Sequence, residues 1–146
     1  MNPLTSVKGT IISGFVLAII VALYLSPENS YLMTRNLSIW MHVLAGVTWV
    51  GLLYYFNFVQ VPAMADALAD EGGPGPAAIG KYIAPKALLW FRMAAAVTWL
   101  TGAWALSISP QYGFIQTFVF QAPAGPMMSL GAWMGTIMLF NVWVLI

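Results

Sequence analysis

Residues 38–62, SIWMHVLAGVTWVGLLYYFNFVQVP, contain no Asp, Glu, Lys or Arg. A hydrocarbon core of about 30 Å is crossed by roughly 20 helical residues, so this stretch is long enough to span one. Inside lipid every backbone N–H and C=O needs an internal partner, and a lone segment finds those partners only as a helix. The same stretch holds the only histidine of the chain, His42, with Asn57 and Gln60 towards its far end.

Other apolar blocks follow the same pattern. The chain of 146 residues is 61% hydrophobic and 6% charged, where a soluble domain carries about a quarter charged residues. We therefore expect an all-α integral membrane protein, a single transmembrane domain of four helices at about 9–25, 37–60, 86–107 and 127–146. The first run is read as a helix and not a cleaved leader, because Tyr24 would occupy the −3 position of a cleavage site at Ser26, where a small residue belongs. Pro27 is expected to stop helix 1, Asn36 or Ser38 to cap helix 2, and Pro62 to close it. Residues 63–85 are the most polar part of the chain, with Asp66, Asp70, Glu71 and Lys81. Their GGPGP core at 72–76 is expected to be irregular, flanked by short interfacial helices at 63–69 and 77–82. Residues 108–126 hold a segment, 114–120, too apolar for a solvated loop and too short to span, which suggests a re-entrant or interfacial piece between helices 3 and 4.

The distribution of cations sets the expected orientation. Lys8, Lys81, Lys86 and, by snorkelling, Arg92 fall on one side and Arg35 on the other, which puts the N-terminus and the end of helix 4 in the cytoplasm. The last apolar run reaches Ile146 without a polar flank, so the chain is expected to continue beyond it.

Several chemistries drop out early. With no cysteine there is no covalent haem c, iron–sulfur cluster or thiolate metal site. A net charge of +1 without a basic patch argues against nucleic acid. No Ser/His/Asp set, phosphate loop or intramembrane carboxylate pair is present, and no charged midplane site of the transporter kind.

What remains is a short set of polar residues sorted by depth. At 100° per residue His42, Gly46, Trp49, Leu53 and Gln60 share one stripe of helix 2. Gly46 lies one turn from the imidazole and would leave space for a flat macrocycle. His42 is open to two readings: an axial ligand of haem b or a proton carrier, or a hydrogen-bonded residue joining helices. Haem b would need a second ligand from a methionine, a second copy of the chain or a further segment. Asn57, Arg92 and Asn141 are expected in the inner third of the bilayer. Arg92 reads as a snorkelling cation, as a partner contact, or as a planar fork pairing an anion or propionate with Asn57 and Asn141 ordering it. Ala94, Thr98 and Gly102 recur every fourth position, and Gly131 and Gly135 form a G-x-x-x-G, two faces suited to close helix packing.

Three stretches resemble one known family. HVLAGVTWVGLLYYFNFVQVPA (42–63), APKALLWFRMAAAVTWLTG (84–102) and GAWMGTIMLFNVWVLI (131–146) are similar, in that order, to the urate oxidase N-terminal family. That family is the membrane domain of bacterial membrane-bound, cytochrome-c-linked urate hydroxylases. The resemblance picks out His42, Gly46, Trp49, Gly51, Asn57, Arg92, Trp99, Gly102, Gly131, Gly135 and Asn141. It implies oxidation of urate to 5-hydroxyisourate, electrons passed to cytochrome c, a multi-pass place in the bacterial inner membrane, and further helices and a cytochrome domain after Ile146. The alternative expectation is a non-catalytic subunit of a larger respiratory or photosynthetic membrane complex, or of a homo-oligomer. Its two small-residue faces would then pack on partner helices.

Overall fold

The computed structural model describes residues 6–25, 29–121 and 125–144. It is helical, with no strand among the described residues. The chain divides into two compact units, residues 1–34 and 35–146.

The first unit contains helix α1, Val7–Tyr24, and the first turn of α2, Ser30–Tyr55. Ser6 caps α1, its hydroxyl accepting from the Gly9 N–H at 3.1 Å. The start of α2 is corrected. Neither Asn36 nor Ser38 caps it, and Asn29 does, with Oδ1 accepting from the Tyr31 N–H at 2.9 Å. Ser38 sits inside the helix, wholly buried, its hydroxyl donating to the Arg35 carbonyl at 2.8 Å. Pro27 lies outside the described residues.

In the second unit, α2 does not stop at Pro62. It widens into a π-helical turn, Phe56–Gln60, and continues as α3, Val61–Ala69. A proline removes one N–H and its ring presses on the carbonyl four residues back. The π turn reaches five residues back instead, the Val61 N–H bonding the Phe56 carbonyl, so the chain enters Pro62 with the register already shifted. The same device recurs before Pro85. A π turn at Ile79–Ile83, closed by the Ala84 N–H on the Ile79 carbonyl, leads directly into α4, Ala84–Ser107. The expected short helix at 77–82 is therefore the first turn of α4's own rod. Between the two rods, 72–76 has no regular structure, and Asp70 Oδ1 accepts from the Gly72 N–H at 3.3 Å.

Helix α4 is the centre of this unit. It carries the buried Phe91, Ala94, Ala95 and Thr101. Helix α6, Pro126–Val144, packs directly against it through Ala95, Phe91, Leu139 and Val142. Trp99 Nε1 donates to Thr136 Oγ1 at 2.8 Å across the same interface. Helix α2 lies on another side of α4, with Trp49 and Phe56 against Phe91 at ring separations of 6.4 and 5.5 Å. In both pairings rising numbers on one helix meet falling numbers on the other, so α4 runs antiparallel to α2 and α6. The apolar segment after α4 forms a short helix, α5, Phe114–Phe118. Its rings meet Trp99 and Trp133 edge to face, with Phe118 to Trp133 at 5.3 Å and Phe114 to Trp99 at 6.4 Å. The backbone turns into α5 at Gly113, whose φ of 47 favours a residue without Cβ.

Three described helical stretches are long and apolar enough to cross a membrane: Val7–Tyr24, Ser30–Ala69 and Pro126–Val144. The second has 40 residues, about 60 Å of helix at 1.5 Å per residue. That is twice a hydrocarbon core, so one end stands outside it. Helix α4, with Lys86 and Arg92, is not among the three.

Candidate functional site

The stripe on α2 that contains His42 faces α4. His42 is half-buried, and its Nδ1 lies 2.7 Å from the backbone carbonyl of Thr98. A carbonyl only accepts, so Nδ1 carries the proton and a neutral imidazole then has a lone pair on Nε2. The room for the ring comes from α4. A Cβ on Gly102 would stand 3.0 Å from both Cε1 and Nδ1 of His42, tighter than ordinary packing. A Cβ on Gly46 would meet the Thr98 methyl at 3.8 Å, an ordinary contact, so Gly46 faces α4 at the level of Thr98.

Beside His42 is a cavity of about 80 Å³, lined by Trp49, Ala95, Trp99, Gly102, Gly135 and the α5 rings Phe114 and Phe118, among others. Its walls are apolar apart from few groups. One is the imidazole of His42, and the volume has room for a few waters. The indole Nε1 of Trp49 is buried and has no hydrogen-bond partner among the described residues. Cofactor pockets run to several hundred Å³. The residues around His42 therefore do not fit haem b. The tautomer suits axial ligation, but the cavity does not admit a macrocycle, and the chain has no second imidazole.

Arg92 sits apart from this cavity. Contacts of Phe91 with Phe56 and Val142 place Asn57, Arg92 and Asn141, each one residue away, at one level. Their side chains do not converge. Asn57 Nδ2 donates to the Leu53 carbonyl at 2.8 Å and Asn141 Nδ2 to the Ile137 carbonyl at 2.9 Å, each within its own helix and exposed. Arg92 is half-buried, and its Nε has no hydrogen-bond partner among the described residues. The expected amide-ordered clamp is thus absent from this arrangement. A mid-helix Asn satisfies itself on the carbonyl four residues back, and sequence spacing does not reveal that choice.

The small-residue faces are also placed. Thr98 and Gly102 meet Gly46 and His42 of α2, so that face is filled within the chain. A Cβ on either Gly131 or Gly135 would meet nothing within 4 Å, and Gly135 lines the cavity while Gly131 does not. The aromatic wall from α5 was missed at the sequence level, although Phe114 and Phe118, four apart in an over-apolar loop, were its signal. No group of His, Cys, Asp and Glu able to hold a metal ion occurs among the described residues.

Compared with protein-family models, with curated proteins and with solved structures, the chain matches none.

Proposed function

We infer that this chain is the membrane-embedded module of an oxidoreductase of the urate-hydroxylase kind, and that His42 is its working imidazole. The observation that carries this is the Nδ1 contact with the Thr98 carbonyl at 2.7 Å. It leaves Nε2 as the basic atom of a ring that lines a mostly apolar cavity. Hydroxylation of urate takes its oxygen from water and releases two electrons, which cytochrome c accepts, and two protons, and a fixed imidazole base is suited to accept one of them. The three stretches that resemble the urate oxidase N-terminal family converge in support. His42, Trp49, Trp99, Gly102 and Gly135, drawn from all three, line this one cavity. The module crosses the bilayer with α4 as a fourth span, since α4 runs antiparallel between two helices apolar enough to cross. Both ends of the chain then lie on the cytoplasmic side, and cytochrome c takes the electrons.

Membranes containing the protein in its native context test this. Urate-dependent reduction of cytochrome c is expected, falling about 10²–10⁴-fold in His42→Ala, the usual worth of a general base. The dithionite-reduced minus air-oxidised spectrum of the purified chain is expected to lack a Soret band. A haem b band lost in His42→Ala would contradict the base role and restore the ligand role.

A second reading is favoured by one observation. Gly131 on α6 has open space around it, as a residue reserved for a partner helix would. In this reading the chain is a subunit of a larger membrane assembly. Co-purification with that assembly and unchanged electron transfer in His42→Ala would select it.

A further inference from the structure

Below the His42 level the gap between α2 and α4 opens into a groove of about 470 Å³, lined by Leu52, Tyr55, Tyr82, Ile83, Lys86 and Trp90, with Ala87 at its floor. Its lining is apolar and aromatic except for one ammonium, Lys86, and it includes no carboxylate. A second ammonium stands at the wall: Lys81 Nζ lies 5.3 Å from the centroid of the Tyr82 ring. Tyr82 and Trp90 are both strongly exposed, at 60% and 67%, as aromatic residues at a membrane interface are. The groove exists for a local reason. The π turn at Ile79–Ile83 and the bulky Trp90 occupy this end of α4, where the small residues of its upper half have given out.

We propose that this groove binds an anionic phospholipid, one acyl chain lying along Leu52, Ile83 and Ala87 and the phosphate meeting Lys86 and Lys81. The volume suits an elongated apolar guest of cofactor size. The sign of the charge at its rim selects an anionic headgroup over a zwitterionic one, as basic pockets between transmembrane helices do elsewhere. Tyr55 and Tyr82 add phenols that donate to phosphate oxygens. The site is independent of the reading of His42, because no residue is shared between the groove and the cavity.

The test is native mass spectrometry of the purified chain in detergent, titrated with phosphatidylglycerol or phosphatidylcholine of matched acyl chains. Phosphatidylglycerol is expected to bind more tightly, with roughly fivefold of that preference due to each lysine. Lys86→Gln should remove about fivefold of it and Lys86→Arg none, both at an exposed position that leaves the fold intact. Ala87→Leu should weaken both lipids by filling the floor. Equal binding of the two lipids would overturn the proposal. So would a loss in Lys8→Gln as large as in Lys86→Gln, which would mean bulk charge and no site. Displacement of bound lipid by millimolar inorganic phosphate would overturn it as well, by reducing the site to a phosphate contact.

Discussion

Helix α4 is packed in two different ways on its two sides. Towards α6 the packing below the cavity is direct. Ala95 is 3% exposed, Val142 4%, and Trp99 Nε1 donates to Thr136 Oγ1 across the contact. Towards α2 it is bridged. A histidine ring spans the interface, a cavity of about 80 Å³ lies beside it, and the indole N–H of Trp49 has no partner among the described residues. Lower on that side the gap opens fully into the groove at Lys86. In lipid, apolar burial does not drive helices together, so association rests on close packing and on interhelical hydrogen bonds. The α6 side of α4 uses both. The α2 side uses one hydrogen bond and the ring contacts of Trp49 with Phe91, and at the levels of His42 and Lys86 it keeps space, which is what a site for chemistry or ligands requires.

This contrast can be broken by substitution, and the largest effect is expected on the α6 side. Val142→Ala removes buried carbons from the α4–α6 contact and should cost about 2–3 kcal/mol, read from reversible unfolding in mixed detergent micelles. On the bridged side Gly102→Ala should cost less, about 1 kcal/mol, because the atoms it meets belong to a ring that can tilt. Its larger signature is spectroscopic: the imidazole should lose the Thr98 carbonyl. Trp99→Phe removes a single interhelical bond and should cost about 0.6 kcal/mol in the same assay. The smallest change is expected at Arg92→Met. A guanidinium whose Nε lacks a partner contributes little to holding the helices, and the apolar replacement spares an ion in lipid. We expect a shift within about 0.5 kcal/mol or a gain. A loss as large as that of Val142→Ala would mean that Arg92 is part of the packed core.

Much of this arrangement can be read from the chain. The period of His42, Gly46, Trp49 and Leu53 identifies the face of α2 that meets α4, and Ser107 ends α4 where the apolar run ends. The helix boundaries at the prolines are not legible in this way. Pro62 and Pro85 read as stops because a proline breaks an i to i−4 ladder. The π turns that precede both replace that ladder with a longer one, and FNFVQ or IGKYI looks no different in sequence from an ordinary helical turn. The site is legible by residue but not by partner. His42 stands out as the only histidine, yet its acceptor is a backbone carbonyl, which every residue type offers. Arg92, Asn57 and Asn141 share a depth, which spacing gives, but their orientations follow from each amide bonding its own helix.

The central claim is the protonation of one ring, and the chain has one histidine to observe. We would record nitrogen NMR of the protein labelled with ¹⁵N-histidine in lipid bilayers near neutral pH. The account predicts that Nδ1 carries a proton held in a hydrogen bond and that the neutral form of the ring has a bare Nε2, unchanged in Thr98→Ala, because the acceptor is the main chain, and disturbed in Gly102→Ala. A proton found on Nε2 of the neutral ring, or exchange between the two tautomers, would contradict it, since Nδ1 would then not be donating to the Thr98 carbonyl.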